Sequence, residues 1–214
     1  MLKKLITLII LYFFFSISHA YEIKLKNIIS LDKPWGSSFI NDVELIVTEK
    51  EGKIKIVNIL NNKVSEIDHN LNFLVHGQGG LLDVIHKDNK IWISYTEKRK
   101  GRKTSTSIAK AKLDRKKLNF KNIFQANPPI DSGYHFGSRL AIKDNYLFAS
   151  VGERGQGMIA QDATKHPGSI IRINLDGSVP DDNPKFKGKK KWLPEIYQIG
   201  VINPQGLTVS PFDE

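Results

Sequence analysis

The chain has 214 residues, 40% of them hydrophobic and 25% charged, with a formal net charge of +10 at pH 7 and no cysteine. The missing cysteines exclude a disulfide framework and any thiolate metal site, so a sizeable core, aided by a bound ion or partner, must hold the fold. The basic balance raises nucleic acid as a partner, but the lysines gather in runs at 98–103, 110–121 and 185–191, each between apolar strand-like segments. No recognition-helix pattern or interleaved aromatic platform accompanies them, and the reading is no nucleic acid.

In chain order, residues 1–20 read as an address. Lys3 and Lys4 give a positive start, residues 5–15 form an uncharged apolar run, and Ser18 and Ala20 place small residues at −3 and −1 of a cleavage site. The run is short for a membrane span, which takes about 20 residues. The expectation is a cleaved signal peptide, with Tyr21 as the new N-terminus and an uncleaved anchor as the other reading. The product is then an exported protein, periplasmic or secreted, with no membrane span after cleavage.

From residue 21 to 214 helical periodicity is almost absent. Short β-rich runs bounded by Gly, Asn, Asp and Pro recur instead, at 43–48, 53–58, 63–67, 91–96, 106–113, 146–151 and 169–174. Apolar strand, Asn/Asp turn and second apolar strand repeat around Asp42, Asp88 and Asp144, which are 46 and 56 positions apart. Propeller blades of four strands take about 40–50 residues, and stacking such blades buries faces that none can bury alone. The chain is therefore read as all-β, a β-propeller built as a partial ring of three to four blades, with a β-sandwich of repeated hairpins as the alternative. A fourth unit opens at 206–213, close to the end. The expectation is a fragment of a longer protein, a complementary partner chain being the other explanation.

Four polar, glycine-rich segments are not required by strand pairing. They are Lys33-Pro34-Trp35-Gly36, Gly77-Gln78-Gly79-Gly80-Leu81-Leu82-Asp83, Tyr134-His135-Phe136-Gly137-Ser138-Arg139-Leu140 with Gly152-Glu153-Arg154-Gly155, and Gly200-Val201-Ile202-Asn203-Pro204-Gln205-Gly206. Each stands where a blade begins, and such loops cluster at one end of a propeller channel. A lone histidine is ordinarily a hydrogen-bonded structural residue, and Gln78 has the bland alternative of capping a glycine turn. The glycines at 152, 155 and 157 lack the strand-to-helix context of a nucleotide loop.

In order and spacing, together with Asp181-Asp182-Asn183-Pro184, these segments resemble the soluble quinone-dependent glucose/sorbosone (aldose sugar) dehydrogenase family, over about residues 31–207 and the first half of a member. The resemblance implies a six-bladed propeller that uses pyrroloquinoline quinone and calcium to oxidise the anomeric hydroxyl of an aldose to a lactone. It implies His135 as the general base, Gln78 and Asn203 as quinone contacts, Glu153 where an aspartate lines the sugar pocket, and a sugar and an electron acceptor as partners. An imidazole suits proton removal because its unperturbed pKa lies near neutrality. One departure stands out: Ile202 replaces an arginine that grips the quinone's carboxylates, and isoleucine makes no such hydrogen bond. The rival readings are a non-catalytic propeller that binds a carbohydrate or a protein, and an inactive fragment.

Overall fold

The computed structural model describes residues 23–185 and 191–212. Residues 1–20, read above as a signal peptide, lie outside them, as do residues 186–190 of the last lysine run and Asp213. Among the described residues, strands form three sheets. The first holds β1 (Pro34–Asn41), β2 (Glu44–Glu49), β3 (Lys53–Asn58) and β4 (Val64–His69), paired antiparallel in that order. The second starts with β5 (Leu81–Lys87), β6 (Lys90–Lys98) and β7 (Thr104–Lys112). The chain then leaves it for the two-residue β8 (Lys117–Leu118), which pairs in parallel with β4 and covers the first sheet's outer edge, and returns as β9 (Lys121–Gln125). The third is β10 (Gly137–Lys143), β11 (Tyr146–Val151), β12 (Ser169–Asn174) and β13 (Ile196–Ile199). The leading strands β1, β5 and β10 lie side by side, with β5 in the middle, as the inner strands of consecutive blades do. No helix among the described residues is long and apolar enough to cross a membrane.

Alternation explains why the middle blade is apolar on both faces. Successive side chains of a strand point to opposite sides. Ile91, Ile93 and Tyr95 of β6 join the core shared with Ile46, Ile54, Ile56 and Ile67 of the first blade. Trp92, Ile108 and Phe124 turn the other way, onto Leu140, Leu147, Ala149 and Ile171 of the third. Full burial of each such aliphatic side chain contributes about 1.5–3 kcal/mol. The middle blade alone would leave both of these faces wet.

A hydroxyl repeats at each seam. Thr48, Ser94 and Ser150, six residues after the turn aspartates Asp42, Asp88 and Asp144, are all fully buried. Each accepts the backbone N–H of its own blade's inner strand, from Gly36 (3.0 Å), Asp83 (2.9 Å) and Arg139 (2.9 Å). Each also donates onward, to the carbonyls of Leu82, Ser138 and Pro204. The register of β1, β5 and β10 slips at these points, which frees the inner-strand amides for the hydroxyls.

The expected fourth unit is corrected here. Residues 200–212 contain no strand. Their backbone bonds go to loops instead: Gly200 N–H donates to Ala160 O, and Ile202 O accepts from Glu153 N–H (2.8 Å). Pro204 nevertheless receives the third seam hydroxyl, so this segment stands where a fourth inner strand would begin.

Candidate active site

The loops before β5 and β10, the loop after β11 and the segment after β13 meet at one end of the blades, because β5 and β10 start there while β11 and β13 finish there. Glycine makes the close approach possible. Gly77 has a φ of +58°, and an added Cβ would overlap the carbonyl of Gly133; at Gly152 it would overlap the carbonyl of His135.

His135 sits in this junction with a φ of +51°, near Ser138 (+81°) and Arg154 (+59°). A non-glycine residue in the left-handed region costs about 1–3 kcal/mol, and such residues persist where surrounding contacts over-determine them. The contacts are present. Gln78 Oε1 accepts the His135 backbone N–H (2.9 Å), and Arg154 N–H donates to His135 O (3.3 Å). The imidazole Nδ1 is hydrogen-bonded to Glu153 Oε1. The ring is about one-third exposed, whereas the Glu153 side chain beneath it is 4% exposed.

Glu153 is thus buried behind the histidine, and this is its place rather than an open pocket wall. Burial pushes its carboxyl up, but hydrogen bonds from His135 and from the Gly157 N–H (2.9 Å) outweigh that, and its pKa lies below the ordinary value. An ionised carboxylate on Nδ1 holds the proton there and leaves Nε2 with its lone pair free, the tautomer a base needs.

Asn203 is tied in by its side-chain oxygen, which accepts the Gly137 N–H (3.0 Å). Gln78, His135, Glu153 and Asn203 are therefore joined through one hydrogen-bonded junction. Ile202 contributes only its carbonyl to it, and its side chain is 64% exposed.

Two arginines anchor the junction, and the sequence reading gave neither a role. Arg154 is buried and, among the described residues, makes no ion pair, the charge acting on it being that of Glu153. Its guanidinium donates to Tyr134 O (3.0 Å), Thr104 O (3.2 Å), Thr104 Oγ1 (2.8 Å) and Ser132 O, and it stacks over Phe136 at 3.7 Å. Burial lowers its pKa to about 10, still fully charged near neutrality. Arg139 donates to Gln205 O (2.8 Å), Trp35 O (3.2 Å) and Asp83 Oδ1 (3.3 Å), which links the blade starts. Asp83 is raised by burial, against the opposing hydrogen bond from Leu140 N–H and the charge of Arg139. The available signal was an arginine inside a polar segment placed directly against an apolar strand.

Residues 31–214 match the family model described as Glucose / Sorbosone dehydrogenase. The chain belongs to this family. It is 32% identical over 192 residues to the aldose sugar dehydrogenase YliI of Escherichia coli K12, covering 85% of this chain and 52% of that protein. It is 29% identical to quinoprotein glucose dehydrogenase B of Acinetobacter calcoaceticus, covering 85% and 45%. The crystal structure of the soluble E. coli aldose sugar dehydrogenase in its apo form superposes with a TM-score of 0.79, over 85% of this chain and 55% of that one. The fold also matches a quinone-bound aldose sugar dehydrogenase from Streptomyces coelicolor, at a TM-score of 0.72. The chain thus spans about half the length of the relatives it matches, and its three sheets form a partial β-propeller.

The donor chemistry tests how the family's quinone fits. Gln78 and Asn203 spend their amide oxygens on backbone N–H groups. Their NH₂ groups remain as neutral donors suited to quinone carbonyls. Ile202 offers no cation for the carboxylates, and the hydrogen bonds of Arg139 and Arg154 go to backbone oxygens, Thr104 Oγ1 and Asp83, while the exposed Lys50 ammonium lies beside Gln78 on Gly77 O. Among the described residues no group of three or more His, Asp or Glu comes together to hold a metal ion, so calcium is assigned no ligand.

Proposed function

We propose that this chain supplies the acid–base half of a quinone-dependent sugar dehydrogenase, exported to the periplasm or beyond, that oxidises the anomeric hydroxyl of an aldose to a lactone. The observation that carries the proposal is the His135 ring at the surface of the junction with its Nδ1 held by the buried carboxylate of Glu153. Gln78 and Asn203 would hold the quinone through their amide NH₂ groups, and the bound quinone supplies the acceptor for the hydride that leaves the anomeric carbon. His135 Nε2 takes the hydroxyl proton as the C–O bond becomes a carbonyl. Glu153 stabilises the imidazolium that results and keeps the ring oriented, which makes it a positioning residue.

The test is dye reduction by a chain of full family length supplied with pyrroloquinoline quinone, calcium and an aldose. His135→Ala should lower turnover about 10²–10⁴-fold, the usual contribution of a general base. Glu153→Gln should lower turnover while leaving KM for the sugar little changed, because the carboxylate touches the ring and not the substrate. Ile202→Arg should tighten quinone binding about tenfold by adding a grip for a carboxylate. The exposed Ile202 side chain favours one other reading, a propeller that binds carbohydrate without turning it over. Absence of turnover in both the loaded parent and Ile202→Arg, with saturable sugar binding, decides for that reading.

A further inference from the structure

At the end of the blades opposite His135, the face of the second sheet that is turned toward the third sheet changes character. Near mid-strand it buries Trp92, Ile108 and Phe124 in the core. Toward the β5–β6 turn the same face carries Lys90, Lys110, Lys112 and Lys121. The register makes this unavoidable: Lys90 is directly opposite Lys112, Trp92 opposite Lys110, and Lys110 opposite Lys121. Like charges directly opposed across strands repel, and each such pair is destabilising on its own.

These lysines line a cleft of about 550 Å³, closed on the other side by the turn that carries Asp176. That turn is seated tightly, for a Cβ on Gly177 (φ +96°) would lie 2.6 Å from Ile123 O. The lining comes from the strands and turns of the second sheet and, on the other side, from Asp176 after β12. Lys110 is fixed at its wall. Its ammonium donates to Leu175 O (2.9 Å), the same oxygen that takes the Trp92 indole N–H (3.1 Å), and lies 5.2 Å from the Trp92 ring centroid. Among the described residues, the side chains of Lys90, Lys112 and Lys121 make no hydrogen bond or ion pair, although the charge of Lys112 acts on Asp114. The two acids at the cleft offset the charge only in part, and Asp176 is already hydrogen-bonded by Ser178 N–H (2.9 Å) and its hydroxyl (2.7 Å). Burial, with the charge of Lys90 adding to it, depresses the pKa of Lys110, against the opposing pull of Asp176.

We infer that this cleft is a binding site for a compact multivalent oxyanion, a small molecule bearing two or more phosphate or carboxylate groups. Four ammonium groups on one face of three neighbouring strands, one of them immobilised, match closely spaced negative charges and leave the cleft in electrostatic imbalance without them. A volume of about 550 Å³ suits a ligand of small-molecule size. The site is independent of the His135–Glu153 pair and of the proposed dehydrogenase activity.

The experiment is titration calorimetry on the full chain at about 0.15 M NaCl, where diffuse surface attraction is screened beyond about 8 Å. Pyrophosphate and citrate are the two probes. The expected result is saturable one-to-one binding, weakened about tenfold or more by Lys110→Gln/Lys121→Gln and less than about twofold by Lys100→Gln/Lys103→Gln at the β6–β7 tip. Binding of pyrophosphate alone identifies a phosphate ligand, of citrate alone a carboxylate ligand, and of both a site that reads charge and spacing. Thermal unfolding provides a second readout. Without ligand, Lys121→Gln should raise the melting temperature, because it removes an opposed pair, yet it should lose the ligand-induced rise. If Lys110→Gln/Lys121→Gln does not fold, Lys90→Gln/Lys112→Gln repeats the test on the other pair. Failure of both probes to saturate, or equal weakening by the cleft and tip variants, overturns the inference.

Discussion

The two ends of the blades solve opposite electrostatic problems with the same strands. At the His135 end every buried charge is answered: Glu153 by an imidazole and a backbone amide, Asp83 by Arg139 and the Leu140 amide, Arg154 by oxygens of three residues. At the Lys110 end like charges face one another, and among the described residues Lys90, Lys112 and Lys121 make no hydrogen bond or ion pair. Full pairing fixes geometry, as a base that must meet a substrate proton in one orientation requires. Incomplete pairing leaves interaction energy to be satisfied from outside. The polar groups of the first end are therefore expected to stabilise the fold, and those of the second to destabilise it until something binds.

The sharpest way to break that contrast is Arg154→Leu. It removes the guanidinium hydrogen bonds to the carbonyls of Tyr134, Ser132 and Thr104, of which Thr104 O keeps the Ile130 N–H. The expected loss is about 3–5 kcal/mol in urea denaturation, since each hydrogen bond to a charged group contributes roughly 1.5–3 kcal/mol. Arg154→Lys should recover only part of it, because an ammonium lacks the planar fork that reaches several acceptors. A loss below about 1 kcal/mol would show that water replaces the guanidinium and that the junction is not over-determined.

Next in size is Ser94→Ala, which removes one acceptor from the Asp83 amide and one donor from the Ser138 carbonyl. The expected cost is about 1–3 kcal/mol. At the other end, Lys112→Gln should change stability by no more than about 0.5 kcal/mol, and in the stabilising direction. Equal destabilisation by these two substitutions would erase the contrast.

The smallest effect is that of acid. Glu153 is held below its ordinary pKa, and Glu44 and Asp162 are lowered to about 2 by hydrogen bonds from Arg115 and from Thr164. A depressed folded-state pKa gives stability that is present above the unfolded value, about 4 for these groups, and is lost as pH falls through the folded value. Stability followed by circular dichroism should therefore decline from about pH 4.5 toward pH 2, and Glu153→Gln should flatten part of that slope. Glu44→Gln should flatten it little, because the pair with Arg115 lies at the surface, where screening leaves such pairs weak.

Much of the fold was legible because it rests on local alternation. The strands at 53–58, 146–151 and 169–174 were bounded to the residue, and the turns at Asp42, Asp88 and Asp144 mark three real blades. The exchange of β8 onto β4 was not legible, since two residues between basic neighbours carry no period. The fourth unit failed for a related reason: residues 206–213 have strand composition, but among the described residues no neighbouring strand takes up their backbone. At the candidate site, the residue types and their blade-entry positions could be read, and the loops do bring Gln78, His135 and Asn203 together. The pairing of Glu153 with His135 could not be read, because two segments 18 residues apart meet only after β10 and β11 have paired. The opposed lysines looked like solvated tips in the sequence. Only register shows that alternate lysines on three strands share one face.

The seam hydroxyls of Thr48, Ser94 and Ser150 have a consequence for how the molecule comes apart. Each passes a hydrogen bond forward to the following unit and none reaches past it, so through these hydroxyls the blades are coupled as nearest neighbours, with Arg139 to Trp35 O as a separate link from the third blade to the first. In such an array the total stability approximates a sum of unit and interface terms, and cooperativity extends only as far as the weakest interface allows. Weakening the Thr48 interface should uncouple the first blade while the second and third still melt together, and weakening the Ser94 interface should move that break one blade along. Amide exchange would then report two protection boundaries that move independently, and the cooperative length of the fold becomes a quantity set one hydroxyl at a time.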